Sequence, residues 1–443
     1  MKKMAMAMVG LTAVATIAAL PTTASAAATI SDVIVRQQWP WNGKVNIDYI
    51  LHGEEGSQHD IAVTLRNGSS VITNEYGSLS GDLIGVTPGA RRIVWDPAYN
   101  NPSYAEALMV NFSATLSTAE DDNTYMIVDL SGGASAESYP VSFMSAPPAG
   151  GWTDEYKTDK LVLRRIPAGT AVLGSPDGED EEYGRVAKYE TQRKTTFANS
   201  FYIAVFETTQ KQFENVMGYN PIPSTWDRGK GNTKPAICVN YRLLRGTNTI
   251  MSAANLASEV WPQHEAESFF GVLNSKLSAA LSTAGLGDYE MELPTISQWE
   301  YACRAGTTGA WNNGTTITNA TTDANAELLA HYGATGFYNV GQVVGGKAQN
   351  AYGLYDMHGN VTELCRDKHM DTQVALWDGS DQIEPLIHNV TAQSPFVMVR
   401  GGWRQNAASG IRSSSTSIVS HSLDPTNAES VKHGFRIALT RKR

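Results

Sequence analysis

The sequence predicts a multidomain protein, with an N-terminal all-β sandwich followed by an α+β, loop-rich domain. Short, partly alternating apolar stretches separated by turn dipeptides run from residue 33 to residue 143. The segment Ala146-Pro147-Pro148-Ala149-Gly150-Gly151 then interrupts any helix or strand. Beyond it, three helical signatures give way after residue 305 to a chain rich in Gly, Asn and Thr.

The N-terminus reads as a secretory signal. Lys2 and Lys3 precede an Ala/Val/Leu-rich run to Leu20, and Ala24-Ser25-Ala26 has the small-residue pattern of a cleavage site. Residues 1–26 are therefore expected to be removed, leaving a secreted or periplasmic protein, at the cell surface in one version of this reading. No later apolar run is long enough to span a bilayer. The formal net charge of -10, without a long basic run, excludes non-specific nucleic-acid binding, which needs Lys and Arg clustered against phosphates. The 3 cysteines, Cys238, Cys303 and Cys365, cannot all pair within one chain, and sequence does not tell whether any two of them do.

The β stretches are Val33-Ile34-Val35, Val45 to Ile50, Ile61 to Leu65, Leu108 to Phe112, Tyr125 to Leu130 and Tyr139 to Phe143. Asn42-Gly43, Asn67-Gly68, Pro88-Gly89 and Gly132-Gly133 supply the turns. This spacing argues for an immunoglobulin-like or fibronectin-like sandwich over residues 27–145, with Trp95 as a core aromatic. Residues 146–152 read as a linker, and 153–443 as the second domain. There, Leu161 to Leu173 is β-like, and the acidic run Asp177 to Glu182 lacks the ligand spacing of a calcium loop and reads as a solvated loop. Thr209-Gln210-Lys211-Gln212 and Thr295-Ile296-Ser297-Gln298 are capping boxes that open helices, and Gly306 is a candidate stop for the second of these. Glu265 to Leu281 carries Phe269, Val272, Leu273 and Leu277 at helical spacing.

Several phrases of the second domain then occur in a familiar order. They include Ile166-Pro167-Ala168-Gly169-Thr170, Leu173-Gly174-Ser175-Pro176, Phe201-Tyr202-Ile203-Ala204 and Glu207-Thr208-Thr209-Gln210. Leu293-Pro294-Thr295, Gln298-Trp299-Glu300-Tyr301-Ala302, Gly353-Leu354-Tyr355-Asp356-Met357-His358-Gly359-Asn360-Val361, Arg400-Gly401-Gly402-Trp403 and Gly434-Phe435-Arg436 follow. Together they resemble the formylglycine-generating enzyme, or sulfatase-modifying factor, family, from about Leu161 to the C-terminus. The resemblance implies a C-type-lectin-like fold.

Active members oxidise a cysteine of a client sulfatase to formylglycine. The resemblance implies two cysteines five residues apart, shortly after Arg-Gly-Gly, that bind Cu(I) through soft thiolates. Here those positions fall at Gln405 or Asn406 and at Gly410 or Ile411, and Cys365 is the last cysteine. No catalytic residue is assigned and copper is not expected. Cys303 and Cys365 read as buried inert thiols, and His358 as a structural histidine. A sulfoxide-forming branch of the superfamily needs histidines from an N-terminal helical domain, whereas only His52 and His59 precede the linker, in a β region.

The resemblance also implies a structural calcium site, held by the side chains of Asp356 and Glu363 and the carbonyls of Gly359 and Val361. Such oxygens suit a hard cation. Thr362 and Leu364 stand where relatives carry tryptophans. Trp403, Arg404, Gln405, Asn406 and Arg412 are the candidate ligand-binding groove, with Arg412 and Arg436 also expected to bond loop carbonyls. The leading reading is a non-catalytic binding or structural protein that takes a peptide, a protein or a glycan. The alternative is an active formylglycine-generating oxidase, or another family enzyme working through unidentified residues.

Overall fold

The computed structural model describes residues 28–442, apart from 39–42, 54–58, 60, 69, 73–78, 84–85, 98–111, 119–123, 177–178, 180–182, 227–228, 247–263, 334–340, 369–381, 384–395 and 421. The expected signal, residues 1–26, and most of the expected strand Leu108 to Phe112 lie outside the described residues.

The first part of the chain is all β. Strands Thr29–Gln37, Val45–His52, Gly89–Trp95 and Leu79–Gly81 form one antiparallel sheet, in that order. Ser70–Val71, Ile61–Asn67 and Phe112–Thr118 form a second. The two share a core in which Ile47, Tyr49, Ile93 and Trp95 of the first sheet meet Ile61, Leu65 and Leu116 of the second. Val45–His52 alternates buried and half-buried residues, as expected of a strand with one face on a core. Trp95 is a core residue, 1% exposed. Its strand, Gly89–Trp95, was not foreseen, because the adjacent Arg91 and Arg92, one on each face, interrupt the apolar pattern.

The boundary expected at residues 146–152 is corrected. Tyr125–Asp129 and Val141–Met144 belong to the second domain. They complete a six-stranded antiparallel sheet in the order Tyr289–Glu292, Ala438–Arg441, Phe201–Ala204, Lys160–Ile166, Tyr125–Asp129, Val141–Met144. Leu161 pairs with Val128, and Leu163 with Met126. The physical signal was the near-continuous burial of Tyr125–Asp129, with both faces covered, unlike the alternating strands before it. The Pro/Gly segment is thus a loop inside the domain.

A second sheet runs Ser417–Ser420, Phe396–Arg400, Thr362–Lys368, His433–Phe435. A third joins Gly169–Leu173, Arg193–Phe197 and Gln382–Ile383. Both expected capping boxes form: Thr209 caps helix Gln210–Met217 and Thr295 caps Ile296–Arg304. The latter helix ends at Ala305, in the left-handed region at φ 45°, one residue before the expected glycine. The long helix is Phe269–Thr283, with Ser268 as its N-cap. Three short helices, Ala187–Glu190, Tyr241–Arg245 and Ala324–Leu329, were not foreseen. Each spans too few turns to show a periodicity.

Candidate functional site

The strand Phe396–Arg400 delivers the chain into the turn Gly401 to Asn406. Gly401 and Gly402 have φ of +83° and +69°. A Cβ on Gly402 would stand 2.5 Å from the Gly410 carbonyl oxygen, so the close approach of these loop arms requires glycine there. Asn406 closes the turn, its Oδ1 accepting from the Trp403 amide at 2.8 Å and its own amide donating to the Trp403 carbonyl at 2.8 Å. A short 3-10 turn, Ala408–Ile411, follows.

This loop walls a groove of about 550 Å³. Trp403, Asn406 and Gly410 line one side, Lys432 and His433 another, and Phe396 and the strand Ser417–Ser420 the rest. The Lys432 ammonium lies 4.9 Å from the Trp403 ring centroid and pairs with Glu429. Thr362 Oγ1 donates to the Lys432 carbonyl at 3.0 Å and meets His433 Nδ1 at 2.5 Å. Burial, with the neighbouring Lys432 charge, brings His433 down to about 4, so the groove imidazole is neutral.

Of the expected groove residues, Trp403 and Asn406 line it, while Arg404 and Gln405 sit half-buried in the same turn. Arg412 does not line the groove but makes the bonds to loop carbonyls expected of it. It is wholly buried and bonds Glu190 at 2.8 Å, Glu179 at 3.1 Å and the Ser409 and Gly184 carbonyls. Glu179 is correspondingly buried, although the acidic run around it reads as solvated. Lys432, His433, Phe396 and Thr362 were missed as groove residues, because they come from three separate strands and a 3-10 turn that only the sheet brings together.

The positions at which the resemblance implies the catalytic cysteines, Gln405 or Asn406 and Gly410 or Ile411, lie on this loop. Asn406 and Gly410 face the groove, and a Cβ on Gly410 would lie 3.2 Å from the Asn406 Cβ. Ile411 is buried and its carbonyl accepts from His358 Nδ1 at 2.7 Å. His358 Nε2 accepts the Asn312 amide at 3.2 Å and lies 3.8 Å from Cys303 Sγ, a thiol not expected beside it. Burial lowers His358 to about 4 and raises Cys303 to about 12, so this pair is neutral packing rather than a nucleophile and base. Cys238, Cys303 and Cys365 are all free and buried.

The residues implied for calcium sit behind the groove. Asp356 and Asn360 adopt left-handed backbone, φ 56° and 60°. Asp356 Oδ2 accepts the Gly345 amide at 2.6 Å, while its buried Oδ1 has no hydrogen-bond partner. Glu363 is already engaged, accepting Arg436 Nη2 at 2.7 Å and Trp299 Nε1 at 2.6 Å. Arg436 also bonds the Ala204 and Tyr355 carbonyls, as expected of it. Glu207, not foreseen, joins the cluster through the Val361 amide at 3.1 Å and the Asn360 side chain at 2.5 Å. Burial and its acidic neighbours hold Glu207 well above the usual carboxylate range, and burial raises Asp356 to about 6. Among the described residues, no three His, Cys, Asp or Glu side chains converge as a metal cage. The orphaned Asp356 oxygen and the surplus acidity facing Arg436 fit a cation at Asp356. Glu363 fits only as a ligand shared with Arg436.

These features define a loop-rich α+β domain with a groove of mixed polar and apolar lining and an ion-paired core. The chain belongs to the sulfatase-modifying factor family: the sulfatase-modifying factor enzyme 1-like domain matches residues 153–441. The chaperone protein LppX of Paenibacillus barcinonensis is 27% identical over 208 residues, 42% of this chain and 68% of the relative. Treponema denticola variable protein 1 aligns over 64% of this chain and 96% of its own, at 22% identity and a TM-score of 0.43. PvdO from Pseudomonas aeruginosa aligns over 63% and 94%, at 21% identity and a TM-score of 0.41. No helix among the described residues is long and apolar enough to cross a membrane.

Proposed function

We propose that this protein is an exported, non-catalytic binding member of the family, with the groove beside Trp403 as its ligand site. One observation supports the reading: of the positions where the resemblance implies thiolates, Gln405 or Asn406 and Gly410 or Ile411, Asn406 and Gly410 line the groove, and none of the four is a cysteine. None can hold Cu(I) or exchange with a client thiol. The neutral His433 and the mutually paired Lys432 and Glu429 supply hydrogen bonds and an aromatic face. These are groups of recognition rather than of redox chemistry. Calcium at Asp356 is the structural cofactor in this reading, pinning the loop behind the groove. The ligand is a peptide, a protein or a glycan, and the chaperone name of the Paenibacillus relative favours a polypeptide.

The test is incubation of the purified protein with a cysteine-containing, sulfatase-derived peptide, with and without copper, followed by mass spectrometry. The cysteine mass is expected to stay unchanged in both. Conversion of thiol to aldehyde above a no-protein control would overturn the reading.

A further inference from the structure

We propose that Lys157 sets the calcium affinity of the site at Asp356, holding an ammonium against the acidic cluster so that calcium binds more weakly than the oxygen donors alone allow. The inference rests on calcium binding at Asp356, and it adds a residue outside the implied ligand set that tunes that binding.

Lys157 ends a 3-10 turn, Asp154–Lys157, and its carbonyl accepts Thr209 Oγ1 at 2.6 Å, which ties the turn to the cap of helix Gln210–Met217. The half-buried side chain reaches over Phe206, its ammonium 5.3 Å from the ring centroid. Phe206 stacks on Tyr355, with centroids 5.0 Å apart. These two rings are the chain neighbours of two buried acids, Glu207 and Asp356. Gly345 gives the closest measure of the approach. Its amide donates to Asp356 Oδ2 at 2.6 Å, and a Cβ built on it would lie 3.5 Å from Lys157 Nζ. A single glycine thus separates the ammonium from the carboxylate. The same Cβ would stand 2.6 Å from Phe206 Cε1, and Gly345 has φ +74°, so this close approach requires glycine.

Two cations bear on Asp356, Arg436 and Lys157. Arg436 is committed: it holds Glu363 and the carbonyls of Ala204 and Tyr355. Lys157 is not. Glu155, beside it in sequence, pairs with Lys160 at 2.6 Å, and among the described residues the Lys157 ammonium has no ion pair or hydrogen bond. A divalent cation at the orphaned Asp356 oxygen would bring two positive charges towards this third one. Across roughly 8 Å, with the high effective dielectric of a surface site, the repulsion weakens binding about three- to tenfold. Linkage makes the effect mutual: calcium removes the benefit of Lys157 to the acid cluster by the same factor.

The test titrates calcium into the chelator-treated protein by calorimetry. It compares the native chain with Lys157→Met, which keeps an apolar stem over Phe206, with Lys157→Gln as a second neutral variant, and with Lys157→Arg. The neutral variants are expected to bind calcium about three- to tenfold more tightly. Lys157→Arg, which keeps the charge, is expected to stay within about twofold of the native affinity. Raising the sodium chloride concentration should narrow the difference by screening. In chelator the neutral variants should melt below the native protein, and saturating calcium should close that gap. Calcium bound equally well, or more weakly, by the neutral variants would overturn the inference and leave the calcium reading standing, with Lys157 as packing over Phe206. No calcium binding by any of the four proteins would overturn both.

Discussion

Glu300→Gln tests the ion-paired core that holds the groove loop in place. Glu300 is wholly buried on helix Ile296–Arg304. One oxygen accepts the Gly174 amide at 2.7 Å and Arg304 Nε at 2.9 Å, and the other accepts Arg400 Nη2 at 2.9 Å. Arg400 is the last residue before the groove turn, and its Nη1 also bonds the Ser414 carbonyl at 2.6 Å on the far side of the loop. Burial opposes the charge of Glu300, but Arg304, Arg400 and Arg193 outweigh it and bring the carboxyl from 4.5 down to about 2. A depressed acid stabilises the fold above its unfolded value, and the contribution fades as pH falls toward the folded one. The shift corresponds to about 3 kcal/mol at pH 7 and to less than about half of that at pH 3. Removing the charge strands buried guanidinium groups, a loss of about 3–5 kcal/mol in comparable pairs. Urea unfolding followed by tryptophan fluorescence, at both pH values and on both proteins, measures it. The gap between native protein and variant should be several kcal/mol at pH 7 and narrower at pH 3. A gap under about 1 kcal/mol at pH 7, or one that ignores pH, would show that the arginines find solvent or other partners.

Chelator is expected to lower the melting temperature, since a ligand bound only by the native state stabilises it, and Asp356→Asn should abolish that response. Purified protein without calcium by metal analysis, and with no chelator response, would reduce the site to a hydrogen-bonded acidic cluster. Intact mass of protein from the native host should place the mature N-terminus at Ala27, and a mature chain retaining Met1 would remove the export reading.

Sequence carried the local features well and the long-range ones poorly, for a physical reason. A capping box is complete within four residues, so Thr209 and Thr295 announced their helices with the correct first turn. Family phrases, likewise local, put Trp403, Arg404, Gln405 and Asn406 in one candidate groove, of which Trp403 and Asn406 line it. The sheet to which a strand belongs is decided by pairing at a distance. Tyr125–Asp129 follows the first strands in sequence, yet its partner Lys160–Ile166 lies beyond the Pro/Gly segment taken for a linker. Charge behaves the same way. Arg412 sits in a polar-looking run and reads as a groove residue, but its counter-ions, Glu179 and Glu190, come from more than two hundred residues earlier and draw it inward. Glu363 reads as a free metal ligand only while Arg436 and Trp299, which arrive from two other elements, are out of sight. Buried arginines and carboxylates must find one another to offset the cost of desolvation, so they bind distant segments together. Those pairings keep Arg400, Arg412 and Arg436 buried and off the groove wall, which holds Asn406, Gly410, Trp403 and His433 beside the paired Lys432 and Glu429. A wall of that kind suits a ligand held by hydrogen bonds and packing.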